Sequence, residues 1–220
     1  MSQLGNITRR PLKSRDTKWA SGVARWLARM GVHPNTISMT GAAFAALAGV
    51  CLWFAGKDTM EWRRSFLLLC AVCGMQLRLL CNLFDGMVAI EGGFKTPAGE
   101  LYNELPDRFS DAFIFIGAAY SEPEFVWTRE LGWAAAVMAV ITAYVRALGA
   151  SMGASQQFIG PMAKQQRMAT MTGACLIAAL APFWIPLSWS IPAGLAVVTI
   201  GSLVTICRRF RRISREVESK

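Results

Sequence analysis

Long apolar stretches occupy most of this chain, and they limit its possible folds more than any other feature. A spanning helix needs about 20 mainly apolar residues to cross roughly 30 Å of hydrocarbon. By that measure six spans run over 36–56, 65–90, 107–121, 131–152, 167–185 and 189–207. The third is short unless it extends back through 100–105. With 54% hydrophobic and 17% charged residues, the chain lacks the polar surface of a water-soluble domain. The expected fold is an all-α membrane protein, six transmembrane helices preceded by an amphipathic interfacial helix.

The net charge of +9 is concentrated at the ends. Arg9, Arg10, Lys13, Arg15, Lys18, Arg25 and Arg29 precede the first span, and Arg208, Arg209, Arg211, Arg212, Arg215 and Lys220 follow the last. Basic segments stay in the cytoplasm, so both termini are expected there, which an even number of spans allows. The acidic loop 121–130 then faces outward, and the loops around Lys95 and Arg108 and around Lys164 and Arg167 face inward. The short connection with Lys57, Arg63 and Arg64 runs against this pattern unless the arginines snorkel at a helix end. No aromatic-interleaved basic motif accompanies the charge, which excludes a nucleic-acid module and favours anionic lipid headgroups. Between Leu12 and Met30, Trp19, Val23, Trp26 and Leu27 recur at near-helical spacing with cations between them, the pattern of a helix lying in the interface. No cleavable signal peptide is visible. The chain reads as one domain: a basic arm over 1–35, a six-span body over 36–207 and a basic tail over 208–220.

The six cysteines lie in or beside the spans and read as small buried residues. Cys70 and Cys73 have the spacing of a redox or zinc pair, but no second pair or suitable histidine accompanies them. His33, beside Pro34, reads as an interfacial residue.

Against this background, Asp85, Asp107 and Asp111 stand out. Each carboxylate near a bilayer centre costs about 2.5–3.5 kcal/mol if left without a partner. Protonation, basic side chains or bound cations could offset that cost. Asn82 and Asp85, three residues apart, share one helix face, and Asp107 and Asp111, four apart, share another. Two facing ridges of hard oxygens suit Mg²⁺, Mn²⁺ or Ca²⁺ better than Zn²⁺. Gly86, Gly92, Gly93 and Gly99 leave room for close approach of a ligand, and Lys95 adds a cation on the same side.

These residues resemble the signature of the CDP-alcohol phosphotransferase family, D-x2-D-G-x2-A-R-x8-G-x3-D-x3-D. The matching residues here are Asn82, Asp85, Gly86, Ala89, Ile90, Gly99, Asp107 and Asp111. The run Gly31, Pro34, Asn35, Ile37, Ser38 and Gly41 is similar to the family's approach to its first span, and Tyr144 with Arg146 resembles its Tyr-x-Arg on the fourth. The likeness covers 31–207 and departs from the pattern at three points. Asn82 replaces the first Asp, Ile90 replaces Arg, and strict counting from Gly99 makes Asn103 and Asp107 the last acidic pair. Keeping Asp107 and Asp111 as that pair inserts four residues, close to one turn of 3.6, which retains the helix face. Asn82 keeps an amide oxygen able to coordinate a hard cation, and Glu91 and Glu104 are candidates to restore the missing charge.

The resemblance implies transfer of a phosphatidyl or similar group from a CDP-linked donor to an alcohol, with release of CMP, at two Mg²⁺ or Mn²⁺ ions. It implies Asp111 as base, Asp85 and Asp107 as bridging ligands, and Asn82, Gly86, Ala89 and Gly99 around the cytidine diphosphate. A phosphorylated acceptor would call on Arg146, Lys164 and Arg167. Arg78, one turn before Asn82, is either a partner of the acids or a packing cation. The resemblance also implies a homodimer, and a prokaryotic inner membrane is the expected setting. Two rival readings stay open. The acids could line an ion path, although the other spans offer no matching polar string, and Asn82 with Ile90 could mark a weakened relative that binds lipid or assists assembly.

Overall fold

The computed structural model describes residues 17–94, 98–180 and 189–219, apart from the side chain of Glu100. Among the described residues there are seven α-helices: α1 (Lys18–Arg29), α2 (Pro34–Ala55), α3 (Glu61–Glu91), α4 (Gly99–Ala119), α5 (Trp127–Ser151), α6 (Lys164–Leu180) and α7 (Ser190–Glu218). The break between α1 and α2 is local chemistry. Gly31 adopts φ 72° just past the end of α1, and Pro34 opens α2 at a position where its missing N–H costs nothing.

By length and composition, α2, α3, α5 and α7 are able to cross a membrane. Helix α4 carries Asp107, Arg108 and Asp111 near its middle, and α6 opens on Lys164 and Arg167, so both are more polar. The helix at the expected third span begins earlier than 107, at Gly99, and runs for 21 residues. Residues 181–185 of the expected fifth span, and Leu12 to Asp16 of the expected interfacial helix, lie outside the described residues, as does Lys95. The last helix does not stop at 207 but continues through the basic residues to Glu218. Its Ile213 packs on Gly149 of α5, so this stretch has a tertiary partner that hydropathy does not register.

Helices α2 to α7 form a ring in the spatial order α3, α2, α4, α5, α7, α6, closing back on α3. Small residues make this possible. Gly49 and Gly117 meet backbone to backbone between α2 and α4, where any Cβ would collide with main chain. The interior is filled by Leu52, Leu68, Met75, Phe115, Met171 and Leu195. Large apolar residues such as Phe66, Trp133, Val137, Ile200 and Leu203 point outward, the arrangement expected of a protein solvated by lipid tails. Helix α1 lies against α3, resting Ala20 and Ala24 on Leu83, Met87 and Val88 and setting Trp19 edge-on to Phe84 at 5.9 Å. Because successive helices alternate in direction, the starts of α2, α4 and α6 and the ends of α3, α5 and α7 share one end of the ring.

Candidate active site

Polar side chains converge at that end. Arg78, Asn82 and Asp85 form one stripe on α3 at i, i+4 and i+7, Asp107 and Asp111 follow one turn apart on α4, Lys164 and Arg167 sit in the first turn of α6, and Ser38 lies in the second turn of α2. Their burial is unusual for charged groups: Arg78 is 0% exposed, Asp111 1%, Arg167 2%, Asp85 3% and Asp107 6%.

The three carboxylates have different partners. Asp111 is held between two guanidiniums, with Arg78 Nη2 donating to Oδ1 at 2.7 Å and Arg167 Nη2 to Oδ2 at 2.6 Å. Arg167 also donates to the Met162 carbonyl at 3.2 Å, which anchors the segment before α6 to the same cluster. Asp107 pairs through Oδ2 with the Lys164 ammonium, and its Oδ1 lies 3.6 Å from Arg78 Nη2. Lys164 Nζ also donates to Asn82 Oδ1 at 2.9 Å. The orientation of that amide follows from its other end, since Nδ2 donates to the Arg78 carbonyl one turn earlier at 3.1 Å. Among the described residues Asp85 accepts only from neutral groups, the Ser38 hydroxyl at 2.8 Å and the Gly86 N–H at 2.5 Å. Among the described residues no Lys or Arg approaches it to ion-pair distance, although Lys164 and Asp107 both lie within electrostatic reach.

The other anticipated residues divide in two. Gly86 and Ala89 continue the α3 stripe beside Asp85, and Gly99 opens α4 two turns before Asp107. Arg146 does not reach the three aspartates. Its guanidinium pairs with Glu104 at 2.6 Å and lies over the Phe158 ring at 5.5 Å from the centroid, while Glu104 also accepts from Arg108 at 3.1 Å. Glu104 is thus committed to two arginines, and Glu91 is exposed at the end of α3, so neither supplies the charge that Asn82 lacks. Ser38, read in the sequence only as part of the run leading into the first span, joins the site through Asp85, and Arg78, left undecided there, is a partner of the acids.

A divalent ion suits part of this cluster. Among the described residues no three His, Cys, Asp or Glu side chains are grouped as a ready-made ligand set. Asp85 and Asp107 with the Asn82 amide oxygen nevertheless present hard oxygens on facing helices. A buried carboxylate with no cation at ion-pair distance among the described residues, as Asp85 is, costs several kcal/mol unless a positive charge joins it. Both oxygens of Asp111 are already engaged by arginine.

No protein-family model matches the chain. It is 27% identical over 210 residues to the phosphatidylinositol phosphate synthase of Streptomyces avermitilis, covering 91% of this chain and 80% of that protein. It is 25% identical over 199 residues to the inner membrane protein YnbA of Escherichia coli, covering 87% and 90%. Its fold is similar to the crystal structure of Mycobacterium tuberculosis phosphatidylinositol phosphate synthase with CDP-DAG bound, with a TM-score of 0.72 at 20% identity over 90% of this chain and 94% of that one. The same enzyme in complex with manganese and citrate gives a TM-score of 0.72 at 21% identity over 89% and 88%. At such identities the structural likeness speaks to the fold, whereas the sequence likenesses run nearly end to end and include the stretch that carries the aspartates. By sequence and by fold, then, this chain is similar to phosphatidylinositol phosphate synthases.

Proposed function

We propose that this protein is an integral membrane phosphatidyltransferase of phospholipid synthesis, moving a phosphatidyl group from CDP-diacylglycerol to an alcohol and releasing CMP in a reaction that depends on Mg²⁺ or Mn²⁺. The observation that carries this reading is Asp85, a buried carboxylate that among the described residues accepts hydrogen bonds only from neutral donors, on the α3 face it shares with Asn82 and within electrostatic reach of Asp107 on α4. In this reading Asp85, Asp107 and the Asn82 oxygen hold the metal. When bound, the metal neutralises the pyrophosphate and steadies the departing CMP. Gly86 and Ala89 leave space beside Asp85 for the cytidine diphosphate, with Gly99 at the opposite lip. The acceptor hydroxyl attacks the phosphatidyl phosphorus, the bond to the CMP oxygen breaks, and the hydroxyl proton passes to a carboxylate.

That carboxylate is Asp107 in our reading. The family resemblance points to Asp111, but protonating Asp111 would leave two buried guanidiniums uncompensated, which makes it a poor base. Asp107 is acidic in both registers of the signature, and its partner Lys164 has a side chain 26% exposed, so water can reach the ammonium when Asp107 takes a proton. Asp111 is then a positioning residue that ties α3, α4 and α6 together. Arg146, through Glu104 and Arg108, lines the approach to Asp107 and suits a phosphorylated acceptor; the curated relatives make inositol phosphate the first to try.

The same reading takes α4 and α6 as spans that are polar because they carry the site, giving six crossings with both termini and the site on the cytoplasmic side. It takes α1 as an interfacial helix, with the exposed Trp19, Trp26 and Met30 toward lipid and its cations among anionic headgroups. The body over 36–207, between basic arm and tail, would work as a homodimer. The test is CMP release from CDP-diacylglycerol by purified protein with Mg²⁺ or Mn²⁺ and inositol phosphate, glycerol 3-phosphate or serine. Metal-dependent release that Asp107→Asn abolishes is expected; no release with any acceptor sinks the reading, and ion flux through vesicles would put a channel in its place.

A further inference from the structure

The basic stretch after the last span, which hydropathy reads as a tail, is built into the protein. Arg209 is buried and donates from Nη1 to the Thr142 carbonyl at 2.8 Å and from Nε to the Ile159 carbonyl at 3.0 Å. Glu216 accepts from the Ser155 N–H at 2.6 Å and the Gln157 amide at 3.0 Å, and the Met162 N–H donates to Thr205 Oγ1 at 3.0 Å. The connection between α5 and α6 is thus held along the end of α7. Between the two runs a cleft of about 890 Å³, lined by Ser155 and Ile159 on one side and by Arg208, Arg211, Arg212 and Arg215 on the other. These four guanidiniums, at i, i+3, i+4 and i+7, share one helix face. Like charges so spaced destabilise a helix, and its dipole favours a cation only in the last turn, which here holds Arg215 alone. Among the described residues none of the four makes a hydrogen bond or ion pair through its side chain, and the carboxylate beside them, Glu216, is taken up by the facing loop. An anion from outside is what this face lacks.

The kind of anion follows from the helix leading into the cleft. Ile200, Val204, Cys207 and Arg211 stand at i, i+4, i+7 and i+11, all of them exposed, so the face that ends in arginine begins as apolar surface turned toward lipid tails. We propose that the cleft is a binding site for an anionic phospholipid, its headgroup phosphate held by Arg208, Arg211 and Arg212 against the 155–160 loop and its acyl chains lying along Ile200 and Val204. Guanidinium forks match phosphate oxygens in charge and shape. A soluble phosphate would satisfy the arginines and leave the apolar half of the face unused. The site stands apart from the aspartates of α3 and α4, and it needs only the helix ring in a bilayer, not the transferase reading.

Lipid binding tests this without relying on turnover. Full-length protein in neutral detergent with EDTA is titrated with phosphatidylglycerol or phosphatidylcholine, and bound lipid is counted by native mass spectrometry. Wild type is expected to retain phosphatidylglycerol in preference to phosphatidylcholine. The triple variant Arg208→Gln, Arg211→Gln, Arg212→Gln should bind it at least about 10-fold more weakly, and Arg211→Gln alone should weaken it by a smaller factor. Neutralising α1 instead, with Lys18→Gln, Arg25→Gln and Arg29→Gln, should leave this binding unchanged, as should millimolar inorganic phosphate or glycerol 3-phosphate. Circular dichroism melts check that the variants are folded, and if the triple variant is not, Arg211→Gln decides. No preference for the anionic lipid in wild type, equal binding by the α7 variants, an equal loss in the α1 variant, or displacement by the soluble phosphates would each overturn the proposal.

Discussion

Two aspartates one turn apart on α4 should respond in opposite ways to the same small change. Asp111→Asn removes the negative charge that holds Arg78 and Arg167, which are 0% and 2% exposed. Removing one member of a buried ion pair costs about 3–5 kcal/mol, since the remaining charge has no water to turn to. Here two guanidiniums are left facing each other across a neutral amide. Arg78 keeps a weaker contact with Asp107 at 3.6 Å, and Arg167 keeps the Met162 carbonyl at 3.2 Å, so the lower part of that range, about 3–4 kcal/mol, is the better value. For a chain of this size 1 kcal/mol moves the melting temperature by about 2–4 °C, which puts the loss for Asp111→Asn at roughly 10 °C. Asp107→Asn strands chiefly Lys164, whose side chain is 26% exposed, and weakens only the longer contacts to Arg78 at 3.6 Å and Arg108 at 4.0 Å, so a shift under about 3 °C is expected. CMP release should reverse the order, falling at least about 100-fold for Asp107→Asn, the scale of losing a general base. The assay is a circular dichroism melt in detergent beside CMP release at saturating Mg²⁺ on the same preparations. If Asp111→Asn melts with wild type yet releases no CMP, Asp111 is the base or a metal ligand and the division of labour argued here is wrong.

Further outcomes follow from single contacts. Ser38→Ala removes the 2.8 Å hydrogen bond to Asp85 and should raise the Mg²⁺ concentration for half-maximal CMP release by about 10-fold or more, as measured by metal titration. Gly117→Val drives side-chain atoms into the main chain of α2 at Gly49 and should cost about 3 kcal/mol or prevent folding, read from the yield of monodisperse protein and its melt. Burial pushes the carboxyl of Glu122, in the α4–α5 connection, up to about 7 against the pull of its partner Arg64. A folded-state value above the ordinary 4.5 means stability present below about pH 4.5 and lost as pH rises through about 7. Wild-type melting temperature should therefore fall between these limits, and Glu122→Gln should flatten the profile.

How much of this was legible in the sequence depends on the range of the interaction concerned. The cores of the spans were legible, because hydrocarbon thickness imposes a length on every crossing helix. The start of α4 was not, because polar residues such as Asn103 and Glu104 give hydropathy no edge before Asp107. In the ring they are helical, Ser110 satisfies the Pro106 carbonyl at 2.8 Å, and Arg108 reaches back to Glu104. The shared faces of Asn82 with Asp85 and of Asp107 with Asp111 were legible too, since residues three or four apart on a helix are neighbours on its surface.

Helix periodicity treats Asp107 and Asp111 alike, and the difference between them lies in their partners. Arg78 is 33 residues before Asp111 and Arg167 is 56 after it, while Lys164 is 57 after Asp107 and 82 after Asn82. No local rule selects among the cations at such separations. Arg146, grouped in the sequence with Lys164 and Arg167 for a phosphorylated acceptor, differs from them in pairing with Glu104, on the part of α4 that α5 lies beside. The ring order of the helices thus decides which carboxylate is locked by arginine and which is left for chemistry. Exchanging the roles of Asp107 and Asp111 would require α6 to present its cations one turn lower, a change in helix register and not in any residue of the signature.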